Sequence, residues 1–242
     1  MRLFNIQFKF KSREEARAGY QPAGETEATH WVTLNPEMAL AAADDPALAS
    51  ILAGTPCVVA DGVGLQWVAA LTGQHVPDRV SGIDLVEIWA RNANRVYFLG
   101  ASPASNMGAI AWCKKVNPTA DVAGTAVIFV DTLGESADTG AVVAQIRQHR
   151  PEVLFVALGH GKQEKWIHHT LSQIPGPCAV IGVGGSFDIL SGAVRRAPCW
   201  MQRVGVEWLW RLFMEPQRFA RIWNAVVVFP VRAIQSHLVS KR

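Results

Sequence analysis

Asp61 follows the apolar run Cys57–Ala60 and precedes Gly62-Val63-Gly64. A carboxylate where a strand gives way to glycines can take the proton of a hydroxyl nucleophile as general base. The same position suits an N-cap for the next helix, and spacing alone leaves both readings open. Thr33 and Asn35 end another apolar run, where a strand's polar face and a helix cap are the simpler reading. Asn35-Pro36-Glu37 is a helix start, with Asn as N-cap, Pro at the first position and an acid against the positive dipole end. Arg79 lies beside Asp78 in a polar loop over residues 74–82. A solvated cation is the default there, although a guanidinium fork also matches a diphosphate.

Two more polar clusters follow the apolar runs Val153–Leu158 and Cys178–Val183. The first holds Lys162, Gln163 and Glu164; the second holds Gly184, Gly185, Ser186 and Asp188. In a parallel sheet the loops after strand C-termini form the ligand crevice, and helix N-termini there favour anions. A phosphorylated ligand is the chemistry this suggests. It is not a P-loop, because Val156 stands where the first glycine is needed and Gln163 replaces Ser or Thr. Nor is Gly182-Val183-Gly184 a dinucleotide fingerprint, since Phe187 takes the third glycine's place. His160, His168 and His169 lack ligand spacing and read as surface or packing residues. No Asp-x-Asp pair is present, so neither a metal nor another cofactor is expected.

The elements that must position these residues alternate. His30–Leu34 is strand-like; a helix runs through Leu40, breaks near Asp44-Asp45-Pro46 and resumes through Leu48, Ile51 and Leu52. Cys57–Ala60 is a strand, followed by a helix through Trp67 and Leu71 that Thr72-Gly73 stops. A helix from about Asp84 to Ala93, a strand Val96–Leu99 and a helix Pro103–Val116 come next. Asp121–Val130 reads as extended, and Gly140–His149 as a helix with Val142, Val143 and Ile146 on one face. Residues 1–29 suggest a short edge strand and a mobile connection marked by Gly19, Pro22 and Gly24. The expected fold is α/β, a mostly parallel sheet with helices on both faces in a Rossmann-like sandwich.

From Pro198 the pattern is helical only. Trp200, Val204, Trp208 and Leu212 recur every four residues as one amphipathic stripe. A second helix runs from Pro216 towards Leu238, with a kink expected at Pro230. The expected organisation is a core over residues 1–196 and a helical appendage over 197–242.

Hydrophobic residues at 50% and charged residues at 18% exclude a disordered chain. A net charge of +3 gives no broad basic field, so nucleic acid is not an expected partner. Cys57, Cys113, Cys178 and Cys199 are widely spaced, which points to buried thiols in a reducing compartment. The N-terminus lacks the apolar region of a signal peptide, and no stretch approaches the ~20 apolar residues of a spanning helix. The appendage mixes arginines with tryptophans, a composition suited to a lipid headgroup boundary. A docked helix pair with solvated arginines, or the interface of a homo-oligomer, fits that composition equally well.

Taken in order, these stretches resemble the WecG/TagA/CpsF family of bacterial glycosyltransferases over roughly residues 31–223. The resemblance rests on Thr33-Leu34-Asn35-Pro36-Glu37, Asp61-Gly62-Val63-Gly64, Asp78-Arg79-Val80-Ser81-Gly82-Ile83-Asp84-Leu85 and Leu99-Gly100 with Pro103. It continues through Gly161-Lys162-Gln163-Glu164-Lys165-Trp166-Ile167, Gly182-Val183-Gly184-Gly185-Ser186-Phe187-Asp188 and Arg196-Ala197-Pro198. Glu207-Trp208-Leu209-Trp210-Arg211 and Glu215-Pro216-Gln217-Arg218 complete it. The resemblance implies inverting, metal-independent transfer from a UDP-sugar to a polyprenyl-diphosphate-linked saccharide, by a cytoplasmic protein held peripherally at the inner membrane face. It implies Asp61 as the base on the acceptor hydroxyl, with Thr33 nearby. Asn35, Arg79, Lys162, Gln163, Glu164, Gly184, Gly185 and Asp188 would bind substrate, and Arg211, Arg218 and Arg221 would lie near phosphate. The donor sugar is left among N-acetylmannosamine, its uronic acid and glucose. The chain departs from the family at Gly161, where proline is usual, and after Gly124, where an aromatic segment is missing. The alternative function is a catalytically inactive α/β nucleotide-binding module that tethers a partner to the membrane.

Overall fold

The computed structural model describes residues 1–20, 26–126 and 128–239. A small hairpin, β1 (Arg2–Leu3) and β2 (Ile6–Gln7), leads into helix α1 (Arg13–Ala18). The main body then alternates: β3 (Ala28–Leu34), α2 (Pro36–Asp44), α3 (Pro46–Gly54), β4 (Cys57–Ala60), α4 (Val63–Thr72), α5 (Gly82–Asn92), β5 (Arg95–Gly100) and α6 (Pro103–Val116). It continues with β6 (Asp121–Thr125), α7 (Thr139–His149), β7 (Val153–Ala157), α8 (Lys162–Thr170), β8 (Cys178–Gly182) and α9 (Ser186–Leu190). Four helices close the chain: α10 (Cys199–Val204), α11 (Glu207–Met214), α12 (Phe219–Trp223) and α13 (Phe229–Val239).

The six main strands are all parallel, in the order β4-β3-β8-β7-β5-β6. Because side chains alternate across a strand, each buries two apolar faces. In β7, Val153 and Phe155 pack with Trp89, Phe98 and Phe187, while Leu154 and Val156 pack with Trp166 and Ile167. Helices α5, α6 and α9 cover the first face; α7 and α8, and further along α2, α3, α4 and α13, cover the second. The α/β expectation holds.

Helix starts follow the local chemistry. The side chains of Asn35 and Asp45 accept from the N–H of Met38 at 2.9 Å and of Leu48 at 3.1 Å, each beside a proline at the first helical position. Such caps contribute about 1 kcal/mol each.

Four expectations need correction. Residues 1–20 are ordered rather than a loose connection: Ser12 and Glu15 form a reciprocal capping box on α1, and the Trp89 indole N–H donates to Ala16 O at 2.8 Å. Pro22 and Gly24 lie outside the described residues. The extended run from Asp121 stops pairing at Thr125, because β6 is an edge strand whose only neighbour, β5, ends at Gly100. Beyond it, Asp131 accepts from the N–H groups of Leu133 and Glu135 and closes a turn. The four-residue stripe is not one helix face. Gly205 ends α10 at φ 78°, and a Cβ there would come within 2.2 Å of Val63.

The chain from Pro216 to Val239 is one continuous helical stretch of 24 residues, long and apolar enough by those measures alone to cross a bilayer. That departs from the reading that no stretch approaches this length. Its contacts tie it to the core: Arg221 pairs with Glu37 at 2.7 Å, Arg232 pairs with Asp44 at 2.8 Å, and Phe229 is fully buried beside Phe4. The irregularity expected at Pro230 takes the form of a π turn over Asn224–Val228. Proline offers no N–H there and its ring crowds the carbonyl four residues earlier, so the wider turn relieves both problems. Of the cysteines, Cys57, Cys113 and Cys178 are buried as expected, and Cys199 is exposed.

Candidate functional site

A cleft of about 650 Å³ lies along the C-terminal edge of the sheet, beyond the ends of β3, β4, β7 and β8. It sits where the chain leaves β3 for β4 on one side while β8 pairs on the other, the usual ligand position in such a sheet. The first residues of α2, α4 and α5 line it, so the positive dipole ends of these helices face the space. The C-terminal helices form its roof.

Asp61 lies at the floor. Its backbone N–H donates to Leu34 O at 2.7 Å, and its Oδ2 accepts from the N–H of Gly82 at 3.2 Å. It does not cap α4, whose N-cap is Gly62 with no side-chain hydrogen bond. Burial pushes the Asp61 carboxyl up to about 6. The Gly82 N–H, Arg79 and Arg211 oppose that rise, while the Glu207 charge adds to it. Thr33 is buried beside Gly82 and donates from Oγ1 to Gly182 O at 3.2 Å.

Gln163 is 3% exposed and is fixed at both ends of its amide. Its Nε2 donates to Glu164 Oε1 at 2.8 Å, and its Oε1 accepts from the N–H of Gly184 at 3.3 Å. Thus the loops after β7 and β8 are locked together at the cleft. Gly184, Gly185, Asn35 and Asp188 also line it, and Asp188 accepts from the Ser105 hydroxyl at 2.6 Å.

Lys162 and Glu164 are not brought to the cleft. Lys162 Nζ donates to Val130 O at 2.9 Å, securing the segment after β6. Glu164 is buried beneath, accepting from the N–H of Gly161 at 2.9 Å as well as from Gln163, and burial raises its pKa. Both positions follow from helix geometry, since residues flanking Gln163 in the first turn of α8 point in other directions.

Arg79 reaches the cleft wall but is engaged. It pairs with Glu207 of α11 at 2.7 Å and donates to Gln202 O at 2.9 Å, so it fastens the roof to the floor. On the roof, Arg218 pairs with Glu215 at 2.8 Å and Arg221 with Glu37. Arg211 also lines the cleft, and among the described residues it has no ion-pair partner. Glu207, Trp208 and His160, to which the sequence assigns no role in binding or catalysis, line the same space. Glu207 and Trp208 lie in a motif already noted, but the Arg79–Glu207 pair spans 128 residues and has no local signal. Among the described residues no group of three or more His, Cys, Asp or Glu side chains is placed to hold a metal ion.

The whole chain, residues 1–242, matches the family described as "Glycosyl transferase WecG/TagA/CpsF family". It is 34% identical over 194 residues to an N-acetylglucosaminyldiphosphoundecaprenol N-acetyl-beta-D-mannosaminyltransferase of Bacillus subtilis, covering 78% of this chain and 73% of the relative. It is 29% identical over 195 residues to a protein of the same name from Staphylococcus aureus, covering 79% and 74%. A parallel sheet with its cleft at the switch point, a carboxylate at the floor and matches of this extent lead to one conclusion: the chain belongs to the WecG/TagA/CpsF family and is a glycosyltransferase.

Proposed function

We propose that this enzyme transfers N-acetylmannosamine, with inversion, from its UDP derivative to a hydroxyl of N-acetylglucosamine on a polyprenyl diphosphate. The observation that carries this reading is Asp61, a carboxylate at the cleft floor with its pKa raised to about 6. A base whose pKa is poised near neutrality is ionised at pH 7 yet basic enough to accept a proton. Asp61 takes the proton of the acceptor hydroxyl as its oxygen bonds to the donor's anomeric carbon. The bond from that carbon to the UDP oxygen breaks, and UDP leaves with the electron pair. One displacement of this kind inverts the anomeric centre.

The departing diphosphate gathers negative charge, which preorganised cations and N–H dipoles stabilise. The positive N-terminal ends of α2, α4 and α5 line the cleft and support this role. Arg79 joins once it exchanges Glu207 for phosphate. In this reading the helices over residues 197–239 cover the site and dock peripherally on the membrane surface where the acceptor resides. Exposed Leu209, Phe213, Phe219 and Trp223 beside the roof arginines support that docking. The decisive test is transfer from UDP-N-acetylmannosamine to a short-chain prenyl-diphosphate N-acetylglucosamine, with EDTA present throughout. Product with a β linkage that is lost in D61N sustains the reading. Intact binding of UDP without any turnover would instead favour the inactive tethering module.

A further inference from the structure

Three indoles line the cleft, and their N–H groups differ. The Trp210 N–H donates to Arg195 O at 3.1 Å and is committed to the fold. Trp67 lies on α4, 42% exposed. The Trp208 N–H is buried and, among the described residues, has no hydrogen-bond partner. Leaving such a donor unpaired costs roughly 1–3 kcal/mol, so a ligand that supplies an acceptor atom there gains in proportion.

The neighbours of Trp208 say what that ligand is. Glu207, one residue before it, is tied to Arg79, and Arg211, one turn after it, has no ion pair among the described residues. Both charges act on the Asp61 carboxyl, so this stretch of α11 stands over the base. The opposite side of the same helix carries exposed Leu209 and Phe213. Helix α11 thus carries an outward apolar face on one side. On the other it holds an aromatic ring with an unused donor and a cation that has no ion pair among the described residues, with the Asp61 carboxylate below. A lipid-linked sugar has the complementary set of groups: apolar chain, diphosphate, pyranose ring and reacting hydroxyl. Indoles suit sugars because an apolar ring face can stack while the N–H binds a polar substituent.

We infer that Trp208 is the acceptor-sugar platform, stacking on the pyranose next to the diphosphate and donating its indole N–H to a ring substituent. This rests on the transferase reading and adds to it a residue that selects the acceptor. UDP and the donor sugar do not require Trp208 in this arrangement, so its loss acts on one substrate only.

The test is calorimetric titration of the full chain, saturated with UDP, with a short-chain prenyl-diphosphate N-acetylglucosamine, alongside steady-state kinetics. Trp208→Phe keeps the ring and loses the N–H, and acceptor affinity should fall about fivefold, the worth of one net hydrogen bond. Trp208→Ala should lose about tenfold or more, as stacking goes too. The KM for UDP-N-acetylmannosamine and the UDP-induced rise in melting temperature should stay at wild-type values in both. Equal acceptor affinity in wild type and Trp208→Ala would overturn the inference, as would a matching loss of UDP affinity. Wild-type protein that binds the acceptor in a Trp208-dependent way but never turns over would leave the platform standing and sink the transferase reading. Wild-type protein that binds no acceptor would sink both.

Discussion

Helices α5 and α11 are both amphipathic, and both begin at the cleft, yet they end in opposite surroundings. Helix α5 buries Ile83, Leu85, Val86, Trp89 and Ala90 against the sheet, and its first N–H holds Asp61. Helix α11 buries no residue; Leu209 is 47% and Phe213 80% exposed, and its first side chain holds Arg79. The floor at α5 is therefore fixed by core packing, whereas α11 is fastened by an ion pair and presents apolar surface outward. An apolar face that its own chain leaves uncovered marks a surface that meets something else. In the proposed function, a rigid floor suits Asp61 as a base, and a less buried α11 suits the admission of a lipid-linked acceptor.

The largest effect belongs to the floor. D61N should lower transfer by about 10²–10⁴-fold, the usual worth of a positioned base, while UDP still raises the melting temperature. In the wild type, activity should climb as pH rises through about 6 and level above it. Stability runs the other way. Because folding raises this pKa from 3.8, the folded state prefers the protonated form, and stability is lost as pH rises from about 4 through about 6. Asn carries no charge, so D61N should be more stable than wild type at pH 7.5, by up to about 3 kcal/mol, with the gap closing near pH 4. Equal activity of D61N and wild type would remove Asp61 as the base.

Next comes a paired truncation that separates the helices directly. Leu85→Ala empties a fully buried site and should cost about 2–5 kcal/mol in chemical denaturation. Phe213→Ala should change stability by less than about 0.5 kcal/mol, yet weaken sedimentation with anionic vesicles. If Phe213→Ala instead destabilises like a core change, α11 is part of the core and the contrast fails.

Much of the floor could be read from residues in order. Asn35-Pro36, the Asp45-Pro46 break and the apolar run Cys57–Ala60 announce their elements through caps, fixed proline geometry and β-branched residues. The capping box of Ser12 and Glu15 is equally local, but a helix of only six residues gives too little apolar periodicity to announce it. The roof was less legible. A four-residue repeat of Trp200, Val204, Trp208 and Leu212 meets the helical period, but Gly205 takes a left-handed φ between two short helices and breaks it. Lys162 and Glu164 share a motif with Gln163, yet three consecutive helical residues point three ways and only the amide reaches the cleft. Above all, the engagement of Arg79 by Glu207 is a tertiary fact, invisible to composition.

That pair supplies the smallest and sharpest test. Glu207 raises the Asp61 pKa by its charge and also occupies Arg79, a cation that lowers it. Glu207→Gln removes the acidic charge and releases the guanidinium, so both consequences favour ionised Asp61. The acid limb of the kcat/KM profile should move to lower pH by less than about one pH unit, with little change in the plateau. A limb that stays in place would mean that solvent in the cleft screens α11 from the base, and that the roof acts on substrate alone. A limb that moves to higher pH would mean that freed Arg79 swings away from Asp61, so that the ion pair, besides fastening the roof, keeps a cation over the floor.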